Sequence, residues 1–220
     1  RLAQSPPAAK RCQIAALQSF VPRFFPPMLR FLVLALFIST PLVAAEKTDP
    51  ISPQVKQSVE RAVAWLLKQQ KSSGYFSDQQ AEQKSKRGDM PSHSAAMTSL
   101  ALMGLASVGH VPSDPTPEGQ AAARALKFIV DNVQPDEHGY LGRSDRSRMY
   151  GHGIITLMLT EMLGMSIDEE TDRKVHEMTK GAIKLILSAQ NVQKNESNKG
   201  GWRYEPQSSD ADISVSVWQL

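Results

Sequence analysis

Apolar positions along residues 46–220 recur at three- and four-residue spacing, and no stretch alternates convincingly with period two. Val55, Val59, Val63, Leu66 and Leu67 fall on one helical face, and Pro53 suits a first helical position. Met97, Leu100, Ala101, Leu105 and Val108 do the same, with Gly109 as a stop. Thr116-Pro117 opens the next helix, to which Leu126, Ile129 and Val130 give an apolar face. Ile154, Leu157, Met158, Glu161 and Met162 lie along another, ending near Gly164. A long helix is predicted over residues 168–190, its Asp168, Glu169, Glu170 and Asp172 placed at the positive end of the helix dipole. A last one begins near Asp212 and carries Val215, Trp218 and Gln219. β-branched residues are sparse, so the chain reads as all-α.

Three segments share one grammar. Arg61-Ala62-Val63-Ala64-Trp65-Leu66 is followed by Gln70 and Gly74-Tyr75-Phe76. Arg124-Ala125-Leu126-Lys127-Phe128-Ile129 is followed by Gly139-Tyr140-Leu141. Lys180-Gly181 is followed by Leu185-Ile186, Gln190 and Gly200-Gly201-Trp202. The second helices resemble each other as well, around Thr98, Thr156 and Ser216. The unit is a helical hairpin of about sixty residues, present about two and a half times. A hairpin of this kind cannot bury a face alone, so neighbours must stack. The helical pattern runs on to Leu220, which fits a longer protein.

The N-terminal part has a different character. Arg30 precedes the uncharged run FLVLALFI at residues 31–38, and small residues up to Ala45 precede the first acid, Glu46. This order predicts a signal peptide over residues 28–45, cut after Ala45. The run is too short for a membrane anchor, which needs roughly 20 apolar residues. Residues 1–27 contain no methionine and read as an upstream or non-native extension. The expected consequence is export, with no transmembrane anchor after cleavage.

Charge follows this division. The chain has 25 basic and 22 acidic residues, but five of the basic ones and none of the acids lie in residues 1–45. Residues 46–220 therefore carry a net charge of −2 and no basic stripe of the kind that binds nucleic acid. The single cysteine, Cys12, is also in the leader, so residues 46–220 offer no disulfide, thiolate metal site or cysteine nucleophile.

The repeat resembles the QW motif of squalene and oxidosqualene cyclases. Arg61, Ala62, Trp65, Leu66, Gln70 and Gly74 match that motif in register, with Phe76 in place of its Trp. Lys180, Gly181, Ile186, Gln190, Gly200 and Trp202 match it again, with Leu185 for the aromatic and a longer loop before the Gly. The middle copy keeps Arg124, Ala125, Phe128, Ile129 and Gly139, with Val133 at the Gln position and Leu141 for Trp. The resemblance implies the α/α toroid shared by triterpene cyclases and protein prenyltransferases, here as an incomplete arc over residues 46–220. Within it the Gln, Gly and aromatic residues act as structural clamps. The Gln amide is expected to satisfy the end of one helix and the start of the next element, and Gly permits the turn.

The same resemblance directs attention to Asp210 and Asp212. In the cyclases the middle Asp of an Asp-any-Asp-Asp segment protonates an alkene. Asp210-Ala211-Asp212-Ile213-Ser214 stands in a similar place, with Asp212 at the donor position and Ile213 replacing the flanking acid. The competing reading is that either aspartate caps the helix that follows, and it is the favoured one. Prenyltransferases hold zinc through Asp, Cys and His. Here His93, His110, His138, His152 and His176 show no close ligand spacing, so no metal or other cofactor is expected. His93 and His152 lie near the starts of second helices, where they either face a cavity or serve as polar helix ends. Met97, Met103, Met158, Met162 and Met165 either line an apolar pocket or fill the core. Thioester proteins of the complement type share the toroid, but their chemistry needs a Cys and a Gln, and residues 46–220 contain no Cys. The polar stretches 71–92 and 193–199 carry no site.

Together these readings imply an exported cyclase- or prenyltransferase-like toroid with a degraded acid motif. It is expected to bind a hydrophobic small molecule or to act as a scaffold. The alternative is an isoprenoid-processing enzyme of the terpene cyclase type. The oligomeric state is left open by the sequence.

Overall fold

The computed structural model describes residues 51–85, 89–166 and 168–220. The expected extension (1–27) and signal segment (28–45) lie outside the described residues. Among the described residues there are seven helices and no strand. They are α1 Pro53–Gln69, α2 Gln79–Lys84, α3 Ser94–Ser107, α4 Pro117–Asn132, α5 Arg148–Glu161, α6 Glu169–Gln190 and α7 Ile213–Val217.

Local chemistry sets most helix starts. Ser52, Asp78, Thr116, Asp168 and Asp212 each occupy an N-cap and accept from a backbone N–H of the first turn. Pro53 and Pro117 occupy the first helical turn, where no N–H is missed. The short α2 falls inside the polar stretch 71–92 and is too short to show a periodic face. Its Asp78 cap and the Lys71–Glu82 ion pair at 2.9 Å hold it.

The helices stack in two rows. α1, α4 and α6 pack in sequence along one row, and α3, α5 and α7 along the other, with α3 against α4 and α5 against α6 between them. The chain is all-α, and this stacking of hairpins is compatible with an arc of an α/α toroid.

Two helices depart from the sequence reading. α3 is buried through Ser94, Ala95, Ala96, Thr98, Ser99, Leu102 and Leu105, whereas Met97, Leu100 and Val108 of the expected face are exposed. α3 is covered by both α4 and α5, so small polar residues go inward and no single apolar stripe remains. α5 begins at Arg148, well before Ile154, despite two glycines in its first turns. Their helix cost is offset by close approach. A Cβ on Gly153 would overlap the Trp218 carbonyl, and one on Gly151 would overlap Ser147.

The repeated Gly-aromatic segments form the joints between hairpins. At the first, Gln70 Nε2 donates to Gly74 O (2.9 Å) and to Ala121 O of α4 (2.8 Å). Its Oε1 accepts from the Arg124 guanidinium at 2.8 Å, a side chain of the next hairpin where a backbone amide was expected. Gly74 has φ +97, and a Cβ there would overlap the Arg124 carbonyl. The second joint repeats the loop. Lys71 N donates to Tyr75 O and Gly74 N to Lys71 O; likewise Asp136 N donates to Tyr140 O and Gly139 N to Asp136 O. This pairing puts Pro135, not Val133, opposite Gln70, because the second loop is two residues longer; Val133 is instead buried beneath the end of α4. Gly139, with φ +88, would place a Cβ 2.5 Å from Gly181 O of α6.

Phe76, Leu141 and Trp202 are buried in equivalent positions, each with its backbone N–H held by a side chain of a second-row helix. The acceptors are Thr98 Oγ1 at 2.9 Å, His152 Nδ1 at 3.2 Å and Ser216 Oγ at 3.0 Å.

Candidate functional site

Polar side chains cluster at the starts of the second-row helices and in the loops before them. Asp212 is the N-cap of α7. Its Oδ1 accepts from Ser214 N (2.9 Å), Val215 N (3.2 Å) and the Ser214 hydroxyl. Arg203 lies 3.4 Å from Asp212 and 3.5 Å from Asp210. The hydrogen bond from the Ser214 hydroxyl, followed by that from Val215 N–H, holds the Asp212 carboxyl below the usual range, so these surroundings favour the ionised form. Ser214 also hydrogen-bonds the Tyr150 hydroxyl of α5. The Arg203 guanidinium sits 4.5 Å from the Tyr204 ring centre, and Tyr204 lies 6.0 Å from Tyr150. Arg148 meets Glu205 at 3.5 Å.

A second cluster adjoins this one through residues 145–148. Asp145 is fully buried, and its Oδ2 accepts from Ala96 N at 3.0 Å. Its Oδ1 accepts from Ser147 N at 3.1 Å and from the Ser147 hydroxyl, and its carbonyl takes the His93 N–H at 2.8 Å. α3 therefore receives its cap from the loop that opens α5, because His93 at its own N-cap makes no side-chain capping bond. His93, Arg146 and Arg148 all have positive φ (63, 61 and 56), a costly conformation for non-glycine residues. The Asp145 carbonyl holds the His93 N–H, whereas Arg146 N and Arg148 N donate to Arg143 O and Gly142 O of their own loop. Sequence reasoning passed over Asp145, since a cap given in trans has no fixed spacing to the helix it serves.

His152 occupies neither a cavity nor a helix end. It is fully buried, accepts from Leu141 N–H through Nδ1 and faces Ala182 O through Nε2 at 3.2 Å. That pairing sets the tautomer, with the proton on Nε2. Burial lowers its pKa to about 4, against a partial opposing effect of the Ala182 carbonyl. The methionines do not gather in one pocket: Met158 and Met162 are core residues, whereas Met97 and Met165 are exposed. A cleft of about 580 Å³ is lined by Asp136, Gly139, Lys184 and Leu185, and one of about 750 Å³ by Tyr75, Met90, Phe128 and Asn132. Neither includes Asp210 or Asp212. Among the described residues no three His, Cys, Asp or Glu side chains converge to hold a metal ion. No helix among them is long and apolar enough to cross a membrane.

Comparison with known proteins changes the family assignment. The family model described as A-macroglobulin TED domain matches residues 29–218, beginning inside the segment read as a signal. No curated protein and no solved structure gives a match. The match overturns the assignment to squalene cyclases and prenyltransferase-like repeats, and with it the reading as a cyclase-like ligand-binding toroid or isoprenoid-processing enzyme. The physical reason lies in the residues that carried the resemblance. Gln70, Gly74, Phe76, Arg124 and Trp202 are occupied in joints between hairpins. Such residues report how helical hairpins stack and carry no information about an isoprenoid substrate. The match spans most of the 220 residues, and the chain belongs to the A-macroglobulin TED domain family.

Proposed function

We propose that this chain is a TED-family domain that recognises a partner protein non-covalently at the rim formed by the starts of its second-row helices. The observation that carries this reading is the composition and setting of that rim. Tyr150, Arg203 and Tyr204 form a cation–aromatic series beside exposed Arg146 and Arg148, with the Arg203 side chain held by Asp210 and Asp212 and the Tyr204 carbonyl held by Met149 N–H. Tyr and Arg dominate binding energy at protein interfaces, and a rigid mount lowers the entropy lost on binding. Residues 46–220 contain no cysteine, so the recognition assigned to them needs no thioester formed within that segment. In this reading Asp210 and Asp212 are positioning residues for Arg203, and the partner is a protein surface in place of a hydrophobic small molecule.

The reading extends to location. Export is supported by the basic, apolar and small-residue order of residues 30–45, leaving residues 46–220 as the repeat region. N-terminal sequencing of protein from the native host is expected to begin at or near Glu46, and finding residues 1–27 on exported protein would refute it.

The rim itself is tested by photo-crosslinking in the host, with the crosslinker placed at Arg146 or, as a control, at Lys127 on α4. Discrete adducts from position 146 that vanish with Tyr204→Ala support the proposal. Adducts of equal yield from both positions, or none from 146, overturn it.

A further inference from the structure

Two of the three joints are closed by a glutamine. Gln70 Nε2 donates to Gly74 O at 2.9 Å and to Ala121 O of α4 at 2.8 Å, and Gln190 Nε2 donates to Gly200 O at 3.3 Å. The middle joint keeps the loop and lacks the amide. Its backbone hydrogen bonds pair Asp136 with Lys71 and Gly139 with Gly74, so Pro135 stands at the glutamine position. Gly139 O accepts from no donor among the described residues.

The facing helix is pared back at the same place. A Cβ on Gly74 would meet Arg124 O and one on Gly139 would meet Gly181 O, so Gly181 of α6 holds the place of Arg124, and Met178 that of Ala121. Arg124 sends its guanidinium to Gln70 Oε1 at 2.8 Å, and Gly181 has no side chain to send. With proline and glycine in place of glutamine and arginine, the middle joint opens into the cleft of about 580 Å³. Met178 and Leu185, both almost wholly buried, line it with Gly139 and Gly181. Three carboxylates, Asp136, Glu137 and Glu177, line it against one ammonium, Lys184. Asp136 is engaged by Arg143 at 3.4 Å and Glu137 lies 3.6 Å from His138, whereas Glu177 makes no ion pair among the described residues. The counterpart cleft at the first joint, lined by Tyr75 and Phe128, stays open at about 750 Å³ with α6 stacked beyond α4. A following outer helix therefore does not close a cleft of this kind.

We propose that this cleft binds a guanidinium on an aliphatic stem, the group an arginine side chain carries. The guanidinium N–H groups give Gly139 O and the Met178 carbonyl the donors that Gln70 gives to Gly74 O and Ala121 O. Donors alone suffice, because with glycine at position 181 no guanidinium asks for the acceptor that Gln70 Oε1 provides in the first joint. A planar fork of N–H groups with no acceptor meets two carbonyls and a carboxylate together, and Glu177 supplies the counter-charge. The methylenes of the stem pack on Met178 and Leu185. None of Tyr150, Arg203 and Tyr204 lines this cleft, so the site does not rest on the rim assigned above to partner recognition.

NMR titration of the full 220-residue chain tests this, following the backbone amides of His138, Gly139 and Gly181. The probes are free arginine, N-acetylarginine methylamide as the peptide-borne form, and N-acetylnorleucine methylamide as the stem without the guanidinium. Saturable shifts at these amides are expected with the arginine probes, and whichever of the two binds more tightly identifies a free or a peptide-borne source. The norleucine probe is expected to bind about tenfold or more weakly, the loss of charge-assisted hydrogen bonds. Pro135→Gln should restore the amide of the other joints, occupy Gly139 O from within the chain and weaken arginine binding by a similar factor. Glu177→Gln, at an exposed helix position, removes only the counter-charge and should also weaken it, with circular dichroism as the check that both variants fold. If Pro135→Gln does not fold, Glu177→Gln and the norleucine probe decide the matter. Equal binding of norleucine and arginine probes, or unchanged arginine binding in the folded variants, overturns the proposal. The absence of any saturable shift leaves the slot to water alone and overturns it as well.

Discussion

Burial of His152 couples the stability of this fold to pH in a window where few other groups contribute. In the folded chain the imidazole is neutral, with a pKa of about 4 against an ordinary value of 6.5. Between those two values the unfolded chain binds the proton more tightly than the folded one. Stability therefore rises with pH across the window and is lost as pH falls from 6.5 toward 4. The full effect is about 3 kcal/mol, of which about 2 kcal/mol falls between about pH 7.5 and about pH 5. Glu82, Asp136, Asp168 and Asp212 are all held below their ordinary values. Their contribution is present above the ordinary carboxylate range and is lost only at lower pH, so it does not mask the histidine. Urea unfolding at about pH 7.5, 6.5, 5.5 and 5 gives the slope. His152→Leu leaves the Leu141 N–H buried without its acceptor and costs about 1–3 kcal/mol at neutral pH. It should also flatten the pH dependence across this window. A variant that lost stability but kept the wild-type slope would show that another group titrates, and the assignment of a buried neutral imidazole would be wrong.

Three further outcomes are expected. Gly74→Ala should destabilise by about 2–4 kcal/mol, through steric overlap with the Arg124 carbonyl added to an unfavourable φ, whereas Gly200→Ala meets open space and should cost about 1 kcal/mol; equal losses in thermal unfolding would contradict the joint geometry. Asp145→Ala should cost about 2–4 kcal/mol, because it strips the acceptor from Ala96 N–H and Ser147 N–H in a buried setting, and Asp145→Asn should cost less; chemical denaturation ranks the two. Asp212 should titrate below the usual carboxylate value in an NMR pH series, and should move toward it in Ser214→Ala, since the Ser214 hydroxyl is the largest cause of the shift; a raised value would instead point to a desolvated acid.

The parts legible in the sequence were those decided by neighbours along the chain. Thr116-Pro117, Asp168 and the apolar run Leu126, Ile129, Val130 acted as caps and core in the way their spacing implies. The hairpin repeat was legible because each joint needs a glycine at positive φ followed by a buried apolar side chain. The parts that could not be read depend on contacts between hairpins. α3 turns serine and threonine inward because it is sandwiched between α4 and α5, and a one-dimensional periodicity cannot register two covering surfaces. Asp145 serves a helix 49 residues away, which no capping pattern describes. The family was misread for the same reason, because the residues most visible in the repeat are those that hold hairpins together.

The two complete joints are held by different chemistry. The first rests on an amide and a guanidinium, Gln70 and Arg124, neither of which changes charge anywhere in the physiological range. The second has no such bridge. Its Asp136 turns back to accept from His138 N and Tyr140 N of its own loop, and the buried hydrogen bond across to α6 runs from His152 to Ala182 O, with a half-exposed Lys174–Asp131 ion pair at 3.8 Å beside it. In a linear array whose stability is a sum of units and nearest-neighbour couplings, the coupling at one seam is then a constant and at the next a function of proton activity. Acidification would act as a perforation at a defined place: α6 and α7 would part from the stack as a block, and the hairpins before them would remain folded. Limited proteolysis in mild acid would then cut first between α5 and α6, leaving an N-terminal fragment with its own joint intact.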